Sequence, residues 1–108
     1  MSTYRDTYAQ VIADHFGEDE PLKRADPLDM VAANLAASLA EQMLALRAAG
    51  SEIAQQVTRS GGGYAEIEPL AAGSALRRYE AATALARELS KQLSALADIR
   101  GQARVRGR

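Results

Sequence analysis

Residues 74–100 read SALRRYEAATALARELSKQLSALADIR, and their spacing decides the fold. Tyr79, Ala82, Ala86, Leu89, Leu93 and Leu96 follow one another at alternating intervals of three and four. That is the spacing of a helix packed along one seam. A second row, Leu76, Leu85, Gln92 and Ile99, lies beside the first and makes the apolar face broader than a two-stranded coil uses. Ser74 stands where an N-cap belongs, and Gly101 is read as the end of the helix.

The partner for this helix lies upstream. Asp26 can cap, Pro27 suits a first helical turn, and Asp29 adds negative charge where the helix dipole favours it. From Leu28 to about Thr58 the chain has no proline and a single glycine, Gly50. In sevens, Ala32, Leu39, Leu46 and Ile53 share one position, and Leu28, Leu35, Gln42 and Ala49 share the other. Ala36, Met43 and Val57 widen the stripe. About 31 residues at ~1.5 Å each give a helix of roughly 46 Å, with Gly50 marking a bend or a close backbone approach.

Between the long helices, residues 59–73 (RSGGGYAEIEPLAAG) break the pattern with three consecutive glycines, Pro69 and Gly73. They read as a connection longer than the usual ~2–8 residues. At the other end, Tyr4, Tyr8, Val11, Ile12, His15 and Phe16 outline a short amphipathic helix, stopped at Gly17 and followed by the acidic stretch Glu18-Asp19-Glu20-Pro21. A helix this short is marginal alone, so it either docks or moves.

Composition agrees with helices and little else. Alanine occurs 23 times and leucine 12 times, whereas Val, Ile and Thr occur four times each, too few for a sheet. No apolar run approaches ~18 residues, so no membrane span is expected. Met1–Gln10 lacks the basic-then-apolar order of a secretion signal. The absence of cysteine excludes disulfides and thiolate metal sites. The net charge is −1, but residues 100–108 carry four arginines and no acid. Residues 14–29 hold six acids against Lys23 and Arg24. A basic end on an acidic body suits an acidic partner or phosphates. Arg77, Arg78, Arg87 and Lys91 alternate with Glu80 and Glu88 and read as a mixed solvent face.

Catalytic patterns are sparse. His15 is the single histidine and reads as a surface or docking residue. Gly61-Gly62-Gly63 lacks the lysine and hydroxyl of a phosphate-binding loop, Glu66 and Glu68 have no cleft to share, and the acids near Asp14 lack calcium-loop spacing. No cofactor, metal or catalytic residue is expected, and the chain reads as a non-enzyme. A helix-turn-helix is not expected either, because too little helix precedes the acidic linker.

The expected fold is all-α: a long antiparallel, coiled-coil-like helical hairpin over residues 26–100, a short N-terminal helix and linker over 1–25, and a flexible basic tail over 101–108. Two alanine-rich helices bury little area against each other, so the surplus apolar row on each calls for a cover. Self-association into a ring or bundle is the simplest one. Leu35, Leu39, Leu46, Ile53, Tyr79, Leu89, Leu93 and Leu96 are the expected core and assembly residues.

This layout resembles the small terminase subunits of tailed phages and phage-derived gene transfer agents. The resemblance rests on the Asp26-Pro27-Leu28 helix start and on the arm LRRYEAATALARELSKQLSALADIR. It implies a DNA-packaging adaptor of the bacterial cytoplasm that forms homo-oligomers and recruits or regulates the large terminase, an ATPase and nuclease. Arg100, Arg104, Arg106 and Arg108 then form a tail facing the motor or DNA. Residues 1–25 are too few for the family's DNA-binding domain, which implies weak DNA contact without strong sequence preference. The alternative is a coiled-coil partner-binding or regulatory module whose apolar rows are covered by a different protein.

Overall fold

A computed structural model of the chain describes residues 3–17, 22–59 and 74–106. These form three helices, α1 (Thr3–Phe16), α2 (Pro27–Arg59) and α3 (Ala75–Arg106), with no strand among the described residues. The 59–73 connection lies outside them apart from Arg59, as do Glu18–Pro21, Gly107 and Arg108.

Both long helices start where their capping residues stand. The Asp26 carboxylate accepts the Leu28 amide at 2.9 Å, and its carbonyl accepts that of Met30. The Ser74 hydroxyl accepts the Arg77 amide at 3.2 Å. Each satisfies amides that have no partner inside the helix. Gly17 closes α1 with φ of 81°, a left-handed conformation that glycine adopts without steric cost, and its amide bonds the Ala13 carbonyl at 3.0 Å.

Two long-range ion pairs fix the register of the hairpin. Asp29 at the start of α2 meets Arg100 near the end of α3, and Glu52 near the end of α2 meets Arg78 at the start of α3. The helices are therefore antiparallel. The Arg78–Glu52 pair is exposed at both side chains and contributes at most about 1 kcal/mol.

The core is concentrated at the open end of the hairpin. Ala32, Ala36 and Leu39 of α2 and Leu89 and Leu93 of α3 pack with Val11 of α1, and Tyr8, Ile12, Phe16 and Leu22 close over them. So α1 does dock. Its Tyr4 hydroxyl also donates to the Ala37 carbonyl at 3.5 Å. Toward the closed end the buried apolar residues are alanines, Ala49, Ala75 and Ala82. The radius of gyration is 17.7 Å, against ~13 Å for a compact domain of about this length. The molecule is a rod of 61 × 29 × 18 Å, three helices thick at one end and two at the other.

Gly101 does not end α3. The helix runs through it to Arg106, since nothing after it forbids helical backbone and its φ is not positive. The expected flexible tail is thus helical at 101–106. Gly50 likewise interrupts nothing: α2 passes straight through it, and the Tyr79 ring lies against it across the hairpin.

Candidate interaction surface

α1 covers only one side of the hairpin. His15 on α1 reaches Ser90 of α3, and Tyr4 reaches Ala37 of α2. At about 100° per residue, Ser90 and Ala37 mark the α1-facing flanks of their helices. The opposite flank of α2 carries Leu28, Val31, Leu35 and Gln42, and that of α3 carries Leu85, Gln92 and Ile99. These two rows lie side by side on the back of the hairpin. Leu28 is 38 % exposed, Val31 48 %, Leu85 46 % and Ile99 48 %. A little under half of each side chain's surface is thus open to solvent, so the surplus rows read from the spacing are displayed in part: Leu28, Leu85 and Ile99 stand out, whereas Leu35 packs against the core and Ala49 is buried.

The expected core residues fall into two groups. Leu39, Leu89 and Leu93 are buried, and Leu35, Leu46, Ile53 and Leu96 are half-buried. Tyr79 departs from the expectation. At 42 % exposed it lies at the rim of the seam rather than in it, its ring against Gly50.

The largest departure concerns Arg100. It does not belong to an exposed basic tail; it is 9 % exposed and fixed at the open end of the hairpin. Its Nε donates to Asp29 Oδ1 at 2.8 Å and a terminal nitrogen to Oδ2 at 3.3 Å, while its guanidinium carbon lies 5.7 Å from the centre of the Phe16 ring. Asp29 Oδ2 also accepts the Lys23 amide at 2.7 Å. One buried carboxylate thereby joins the segment leaving α1, the first turn of α2 and the last turns of α3. Burial disfavours the Asp29 charge and is the largest influence on it. The Lys23 amide, the Arg100 hydrogen bonds and the Arg100 charge together outweigh burial and hold its pKa below the ordinary 3.8. Arg104 and Arg106 sit on the final turns of α3, and Arg108 lies outside the described residues.

His15 is engaged at both ring nitrogens. Nδ1 lies 2.8 Å from the Val11 carbonyl, which can only accept, so Nδ1 donates there, while Nε2 shares a 3.3 Å hydrogen bond with the Ser90 hydroxyl. The residue pins α1 to α3, in line with a docking role. Among the described residues no three His, Cys, Asp or Glu side chains are grouped to hold a metal ion. Shallow depressions lie along Ser51, Ala54 and Thr58 and along Arg87, Ser90, Lys91 and Ser94. No helix among the described residues is long and apolar enough to cross a membrane. Glu66 and Glu68, and the triple glycine, lie outside the described residues.

The chain matches no protein-family model, no curated protein and no solved structure.

Proposed function

We propose that this protein is a non-enzymatic, self-assembling adaptor of small-terminase type, which recruits or regulates a large terminase and touches DNA weakly, with no strong sequence preference. The observation that carries this reading is the uncharged apolar face on the back of the hairpin, exposed in a single copy. A rod that leaves Val31, Leu85 and Ile99 in water gains by covering them, and covering them builds an assembly.

Removing Arg100 from the set of contact residues narrows the basic end. Arg104, Arg106 and Arg108, spaced two apart after the last buried position, are the residues offered to the motor or to phosphates. Their charge opposes an otherwise acidic chain, so the attraction is local and salt-sensitive.

The test is co-purification of the full chain with a large terminase ATPase, followed by ATP hydrolysis with and without the chain. Binding and an altered ATPase rate are expected, both weakened when Arg104, Arg106 and Arg108 are changed to Gln. Absence of binding by the intact chain contradicts the reading. A chain that stays monomeric until an unrelated protein covers the back face replaces it with the regulatory-module alternative.

A further inference from the structure

We infer that the back face of the hairpin is a two-fold interface, occupied by the same face of a second copy, so that two hairpins form a four-helix layer with each α1 on the outside. This deepens the self-assembly proposed above and rests on it.

Size is the first argument. The face runs from Leu28 to about Ala45 on α2 and from Ile99 back to about Ala81 on α3. At ~1.5 Å per residue and ~10 Å per helix the flat footprint is roughly 500 Å². Side-chain relief raises the accessible area above that projection, close to the ~800 Å² per partner of a standard interface. A single added helix would cover half of it.

Chemistry supplies the second argument. Along the α2 flank, Val31, Leu35, Ser38, Gln42 and Ala45 carry no charge, and along α3 the charge nearest the row is Glu88, at its margin. A face without charge does not select a basic or an acidic partner. Its central polar residues are Gln42 and Gln92, and each side-chain amide offers both donors and acceptors. An amide is complementary to its own copy, as lysine or glutamate is not, and an isologous interface brings equivalent surfaces together. Gln92 has only a long 3.5 Å contact to Glu88 within its own chain. The small residues at positions 38, 45 and 81 let a second pair of helices approach closely.

The test compares native masses of the full chain and of Leu85→Glu/Ile99→Glu at micromolar concentration. Both side chains are nearly half exposed in one copy, so the variant keeps its helices, and circular dichroism checks this. The expected result is a dimer, or an even-numbered multiple, for the natural chain and at least a 100-fold weaker association for the variant. Arg87→Glu/Lys91→Glu, on the flank beside α1, should associate unchanged. A variant that assembles as tightly as the natural chain overturns the back-face interface while leaving the adaptor reading in place. A natural chain that is monomeric overturns both.

Discussion

Asp29 and Arg100 are separated by 71 positions in the chain and by 2.8 Å in space. Their pairing, with the Lys23 amide on the same carboxylate and the Phe16 ring against the guanidinium, ties all three helices together at the open end of the rod. Buried pairs of this kind are costly to break from one side, because the remaining charge is left without its partner in a poorly solvated place.

Asp29→Ala is therefore expected to destabilise the fold by about 3–5 kcal/mol, a large part of the stability of a domain this small. Urea denaturation followed by circular dichroism measures it. An effect under about 1 kcal/mol would place the pair with ordinary surface salt bridges.

The same residue sets an acid limit. Asp29 has a folded pKa below 3.8, so the stability it contributes is fully present above that value and is lost as pH falls through the lower, folded one. In Asp29→Asn this contribution is absent. The stability gap between the natural chain and the variant should be constant near neutral pH and close progressively below 3.8. A gap that widens on acidification contradicts the assignment.

The glycines separate by backbone geometry. Gly17 has a positive φ, so Gly17→Ala should cost about 1 kcal/mol. Gly101 is helical with nothing within 4 Å of an added Cβ, so Gly101→Ala should stabilise by up to about 1 kcal/mol. Thermal melts decide it. Destabilisation by Gly101→Ala would return the helix end to position 101.

Packing predicts a further contrast. Leu93 is fully buried beneath α1, and Leu93→Ala should cost about 2–5 kcal/mol. Leu85→Ala, on the exposed back face, should leave the stability of an isolated copy within about 0.5 kcal/mol. Its effect should appear in association instead. Denaturation of dilute samples, compared with concentrated ones, separates the two.

Much of this fold was legible from local signals. Asp26-Pro27 and Ser74 start their helices because capping is a property of a few adjacent residues, and the alternating three-and-four spacing of Ala82 to Leu96 describes the seam because periodicity is local too. What escaped was set by register. Asp29 and Arg100 become neighbours only once an antiparallel hairpin is aligned residue by residue, whereas composition alone groups Arg100 with Arg104, Arg106 and Arg108. Counting back from each end of the hairpin would have found the pair. Gly101 misled because a glycine after an apolar stripe signals a stop only if the backbone turns left-handed there. The docking of α1 was undetermined, since its apolar residues show that it can be covered but not by what. The back face is visible in part as a surplus row, through Leu28, Leu85 and Ile99, but Ala49 of that row is buried between the helices and Val31 lies outside it.

The account turns on whether the apolar back of the rod is left in water. Sedimentation of the full chain across the micromolar range tests this most directly. The account predicts an assembly of two or more 11.5 kDa chains that dissociates on dilution, with a melting temperature that rises with concentration. A single 11.5 kDa species at every concentration, melting cooperatively at one temperature, would contradict it.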